Sequence, residues 1–155
     1  VTIRTPAPAL DDVSKRIVEV LQEDGRMSYA AIGKAVGLSE AAVRQRVQRL
    51  LDGGVMQIVA VTDPLQVGFA RQAMIGIRAE GDTRIIADRL AEVAEIDYVV
   101  ITAGSFDILV EAVCEDDEGL LDVINSKIRA IPGVVGTETF VYLKLRKQLY
   151  NWGTR

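Results

Sequence analysis

Histidine is missing from this 155-residue chain, and cysteine occurs once. Without histidine there is no imidazole to serve as acid or base, and no Ser-His or Cys-His dyad. Most zinc sites lose a ligand as well. Cys114 follows an apolar, β-branched run from Ile108 to Val113, which suits a buried thiol. Neither a disulfide framework nor a metal site is expected, as in a reducing cytoplasm. No apolar stretch approaches the roughly 20 residues of a membrane span, and no signal-peptide layout opens the sequence. Glycine-rich phosphate cradles of the G-x-G-x-x-G or P-loop kind are absent too, so no cofactor is expected. The acidic run Glu115-Asp116-Asp117-Glu118 reads better as a favourable helix start than as a cation site.

Excess positive charge is also lacking: the net charge is −4. Such a chain does not coat nucleic acid by bulk electrostatics. The charge is unevenly spread, however. Eight basic and seven acidic side chains fall through residue 59, against ten basic and fifteen acidic beyond it. Any contact with a polyanion is therefore local to the first part.

That first part carries the clearest pattern. Residues 28 to 51 read as two short helices joined by a tight turn. Ser28 and Ser39 each precede an apolar-periodic run, where a hydroxyl can accept from first-turn amides. Gly37 lies between the runs and can take the positive φ that ends one helix and lets the next leave steeply. In the second helix Val43, Val47, Leu50 and Leu51 form one buried stripe. Gln45 falls nearly opposite it, Ala41, Ala42, Gln48 and Arg49 flank it, and Arg44 and Arg46 lie at its margins. This is the layout of a helix-turn-helix that offers a recognition helix to the DNA major groove. Gln45, Arg44, Ala41 and Ala42 have base-reading chemistry: glutamine for adenine, arginine for guanine, methyls for thymine. Lys34, Arg46, Arg49 and the helix starts at Ser28 and Ser39 are expected on phosphates. Tyr29, Glu40 and Gln48 complete the expected contact set.

A first helix is expected from about Asp11 to Asp24, giving a three-helix head over residues 10–60. The β-prone stretch Val55 to Val61 makes a winged variant plausible. Residues 1–9, with Pro6 and Pro8, read as a mobile arm, and residues 61–70 as a linker. Beyond it the periodicity predicts strands at Gln72–Ala79, Tyr98–Thr102, Ile108–Val113 and Thr137–Arg146. Helices are predicted at Asp82–Ala94 and Asp117–Ile131. The order β-α-β-β-α-β over residues 71–148 is the ferredoxin-like split unit, leaving a tail at 149–155. The fold class is α+β, and such a sheet keeps one face bare for a second subunit. A dimer would also bring two recognition helices into a two-fold arrangement.

The chain from Leu10 to about Tyr150 resembles the Lrp/AsnC "feast/famine" regulators of bacteria and archaea. The resemblance rests on Leu10-Asp11, Leu21 to Arg26, Ile32 to Ser39, Val43 to Val47 and Gly54-Val55-Met56, followed by the β-α-β-β-α-β unit. It implies a cytoplasmic, nucleoid-associated transcriptional regulator that binds an operator in double-stranded DNA. It also implies homodimers, often assembled to octamers, and an amino acid as small effector bound where dimers meet. The family's G-x-x-D loop corresponds to Gly104-Ser105-Phe106-Asp107. Asp107 would meet an ammonium or order the loop, amides around Gly104 would form an anion nest, and Thr102 and Ser105 would add hydroxyls. Ala103 and Phe106 fall in the same loop. Tyr98, Leu120 and Ile124 are the candidates for side-chain discrimination. Two alternatives stand beside this reading: an architectural DNA-binding protein of the same fold without effector, and a sirohaem-decarboxylase-like enzyme. The missing histidine speaks against the enzyme.

Overall fold

The structure, a computed structural model, describes residues 10–155, so the expected arm at 1–9 lies outside the described residues. Two compact units form, one from residues 10–61 together with 147–155, the other from Thr62–Arg146.

The first unit is built on three helices, α1 (Asp12–Glu23), α2 (Tyr29–Val36) and α3 (Glu40–Asp52). Each begins as its sequence dictates. Asp11, Ser28 and Ser39 sit in extended conformation and accept through their side chains from the amides of Ser14, Ala31 and Ala42. These bonds satisfy amides that a first turn leaves without partners. Gly37 ends α2 at φ 73°, the left-handed region that a glycine enters without a Cβ clash. Ile17, Ile32, Val43 and Val47 are fully buried between the helices, with Leu50 beside them. The expected wing is corrected: Val55 to Val61 contains no strand, and Ile58, Val59 and Val61 are exposed. An extended apolar segment needs a partner strand for its backbone, and among the described residues none pairs with it.

The second unit is a four-stranded antiparallel sheet of order β2-β3-β1-β4 with helices on one face. Its elements are β1 (Arg71–Ala79), α4 (Thr83–Leu90), β2 (Ile96–Ile101), β3 (Ile108–Cys114), α5 (Asp117–Asp122) and β4 (Val134–Val141). Alternation sends Ala73, Ile75 and Ile77 of β1 and Ile108, Val110 and Ala112 of β3 into the core. There they meet Ile86 and Leu90 of α4 and Leu120 of α5. The predicted second helix continues past α5 as a wider π-helical turn over Val123–Ile128. Strand β4 stops five residues short of the predicted Arg146. Tyr142 still donates its amide to Gln72, the second residue of β1, so that only Arg71 of that strand remains beyond the pair, and Leu143 is almost fully exposed.

Among the described residues no helix covers the opposite sheet face. The register places Met74 across from Glu111 and Phe140, and Gly76 across from Leu109 and Glu138. Tyr98 and Val100 of β2 fall on this face as well. Phe140 and Tyr98 remain about half exposed there. An apolar surface of this kind resembles half of an interface.

The tail is tied to α1 by side-chain bonds. Gly153 donates its amide to the Gln22 side chain at 3.0 Å, and the Thr154 hydroxyl donates to Glu19 at 2.7 Å. The last residues therefore lie along α1 of the same chain.

Candidate nucleic-acid interface

The outer surface of α3 follows from the burial of its inner stripe. With Val43, Val47 and Leu50 inward, Ala41, Arg44, Gln45, Gln48 and Arg49 are exposed and Ala42 is half-buried. Those six residues line one shallow, open concavity. All six belong to the set expected from the sequence.

Within this surface the side chains differ in how they are held. Arg44 donates to Glu40 at 2.9 Å across one turn and stacks over the Tyr29 ring, 5.2 Å from its centroid. Gln48 donates to Asp52 at 2.7 Å. Among the described residues, Gln45, Arg49 and Lys34 make no side-chain hydrogen bond, so their polar groups face solvent. The hydroxyls of Ser28 and Ser39 are taken by their own helix starts at 3.2 and 3.3 Å.

Arg46 departs from its expected place among the phosphate contacts. It turns back toward α1, donating to Asp11 at 2.7 Å and to Ser14 at 3.0 Å. Hydrogen bonds from Ser14 and then from Arg46 hold the Asp11 carboxyl at about 2, below its ordinary 3.8. The helical wheel put Arg46 at the margin of the stripe; it could not show that Asp11, 35 residues earlier, lies within reach.

The loop from Thr102 to Asp107 closes on itself. Asp107 accepts from the Ala79 amide at 2.8 Å, and its own amide donates to Ile77. Thr102 donates both its amide, to Asp107, and its hydroxyl, to Phe106. Asp107 thereby satisfies backbone at the place where the β1–β4 register slips. The anion nest expected around Gly104 is not formed. No residue of this loop has positive φ, so the alternation of right- and left-handed residues that converges amides is absent.

Phe106 folds over Gly76, where a Cβ would lie 2.6 Å from the ring. Phe140 meets the ring edge-on, and Arg78 lies over it at 5.9 Å. Ala103, Gly104 and Ser105 are exposed at the loop tip. The expected side-chain discriminators separate. Tyr98 stands on the bare sheet face, whereas Leu120 is buried in the core and Ile124 packs against it. Leu120 and Ile124 sit on the helical side of the sheet, where they pack in and against the core of the single chain. Among the described residues no group of three potential metal ligands forms, and no helix is long and apolar enough to cross a membrane.

Three capped helices presenting one polar, basic surface define the head as a helix-turn-helix DNA-binding domain. A family model described as the AsnC-type helix-turn-helix domain matches residues 10–51. A second, described as a C-terminal dimeric alpha+beta barrel domain, matches residues 69–155. The chain belongs to the Lrp/AsnC family of transcriptional regulators, which are DNA-binding proteins and not enzymes.

Among its relatives, the HTH-type transcriptional regulator FL11 of Pyrococcus horikoshii is 35% identical, covering 90% of this chain and 93% of that one. The proline dehydrogenase transcriptional activator of Rhizobium radiobacter is 32% identical, over 90% and 92%. The crystal structure of the leucine response regulatory protein of Mycobacterium tuberculosis superposes with a TM-score of 0.79 at 26% identity, covering 91% of this chain and all of that one.

Proposed function

We propose that α3 is a recognition helix that enters the major groove, and that this regulator reads a specific operator. Gln45, Arg44, Ala41 and Ala42 approach base edges. Arg49, Gln48 and Lys34, with the helix starts at Ser28 and Ser39, approach phosphates. Arg46 orients α3 from behind. The observation that carries the reading is the single exposed surface shared by Gln45 and Arg49, whose polar groups no other described residue engages. Fluorescence anisotropy with duplex from upstream of the protein's own gene tests it. Salt-sensitive binding that is tighter than to random duplex is the expected result; equal binding to both removes the sequence-reading claim.

Residues 10–60 form the reading head in this proposal, 61–70 a hinge, and 71–148 an oligomerisation and effector unit. The bare sheet face, with Met74, Leu109 and Phe140, covers its counterpart in a homodimer. The matched model's description as dimeric supports this. The effector is an amino acid, received at the Thr102–Asp107 loop where a further chain completes the site. Support comes from the relatives named for proline dehydrogenase activation and for response to leucine. A second reading, a DNA-compacting protein without effector, draws on the engaged carboxylate of Asp107 and the missing nest. Calorimetry with a panel of amino acids separates the two: heat with one member supports a sensor, and silence with all supports the architectural protein.

A further inference from the structure

We propose that Tyr29 is a positioning residue that holds Arg44 ready to read a guanine, an inference that rests on α3 being the recognition helix. Tyr29 opens α2 and packs, half-buried, against the head core. Its ring is therefore a fixed platform. The Arg44 guanidinium carbon lies 5.2 Å from the ring centroid, within cation–π range. Glu40, one turn earlier on α3, takes Nη2 of the same guanidinium at 2.9 Å. The side chain of Arg44 nevertheless remains 65% exposed. It is held and presented together.

An arginine that wanders over a helix surface must give up rotamer freedom when it meets a base. One already stacked on a ring and tied along an edge has lost that freedom during folding, so less is lost on contact. The choice of base follows from the donors that remain. Among the described residues nothing accepts from Nε or Nη1 of Arg44, and Nη2 keeps a second hydrogen beside the one given to Glu40. The guanidinium still offers a parallel pair of N–H donors, Nη2 with Nε or with Nη1, and no acceptor. Guanine alone shows two acceptors, O6 and N7, side by side in the major groove, whereas adenine pairs one acceptor with one donor. The ring face of Tyr29, not its hydroxyl, is what the arrangement uses.

Selection of bound duplexes from a randomised library, with the full-length protein, tests this. Wild type, Arg44→Ala, Tyr29→Ala and Tyr29→Phe are compared, with thermal unfolding of each to verify the fold. Wild type is expected to enrich a guanine that Arg44→Ala no longer enriches. Tyr29→Ala should weaken preference at that same position by about two- to five-fold, and Tyr29→Phe should preserve it. An unchanged preference in Tyr29→Ala overturns the inference while leaving α3 a recognition helix. So does an equal loss on every duplex shared by Tyr29→Ala and Tyr29→Phe, which would make the tyrosine a phosphate contact through its hydroxyl. If wild type enriches no sequence at all, the recognition-helix assignment fails with it.

Discussion

Asp11 joins two helices at once: one carboxylate oxygen accepts from the Ser14 amide that starts α1, and the other accepts from Arg46 of α3. A single side chain therefore sets both where α1 begins and how α3 lies against it. Because its carboxyl is held at about 2 in the folded head rather than 3.8, ionised Asp11 favours folding. The sign follows from linkage: the contribution is present above 3.8 and is lost as pH falls through about 2. An acid titration followed by circular dichroism is expected to show Asp11→Asn less stable than wild type at pH 7. The two should converge at the acid end of that window.

Gln45 and Arg49 are expected to fail differently. Gln45→Ala should narrow the gap between operator and altered operator by about 1–3 kcal/mol, the size of one bidentate base contact. Arg49→Ala should weaken binding to every duplex and reduce the salt slope by about one. Anisotropy titrations at several salt concentrations distinguish them, and identical losses on specific and random DNA would contradict the division.

Asp107 has one oxygen committed to the Ala79 amide. Asp107→Ala leaves that amide without its acceptor and should destabilise the sheet unit by about 1–3 kcal/mol. Asp107→Asn keeps an acceptor oxygen and removes the charge. It should retain the wild-type melting temperature and lose affinity for an amino-acid effector in calorimetry. Full effector affinity in the asparagine variant would relegate Asp107 to shaping the loop.

Gly76 permits Phe106 to lie flat on β1, and a methyl there would sit 2.6 Å from the ring. Gly76→Ala is expected to cost about 1–3 kcal/mol by overpacking, measured by denaturant unfolding. Adding Phe106→Ala to the same chain should return part of the loss. Additive losses would show that the ring and the glycine are not coupled.

The bare sheet face predicts an oligomeric outcome. Phe140 is 45% exposed in the single chain and faces Met74 across the β1–β4 pair. Phe140→Asp should shift sedimentation toward a monomer while β1 to β4 keep their circular dichroism. A dimer of unchanged affinity would place the interface elsewhere.

Local chemistry made much of this structure legible in the sequence. The caps at Ser28 and Ser39, the helix start near Asp11 and the Gly37 turn are readable because capping and helix exit depend on residues within four positions of one another. The β-α-β-β-α-β succession follows from the change between periods of 2 and 3.6 along the chain, and the α3 surface from the period of 3.6. What stayed hidden depends on distance along the chain. The Asp11–Arg46 pair spans 35 residues, the Thr154–Glu19 bond 135, and the contact of Phe106 with Gly76 joins a loop to a distant strand. The packing of Leu120 and Ile124 is hidden for a related reason. Periodicity shows that a helix has an apolar side but not whether core or ligand covers it. The strand expected to reach Arg146 failed because alternation persists in sequence after the neighbouring strand has ended.

Cys114 is 3% exposed, and burial, followed by the nearby Glu95 carboxylate, pushes its thiol above the ordinary range. A sluggish native thiol makes the molecule almost a cysteine-less background for labelling chemistry. A cysteine placed at an exposed position such as Arg49 or Ser105 would take a maleimide dye or spin label selectively. Head and loop could then be followed in one molecule without first removing the natural sulfur.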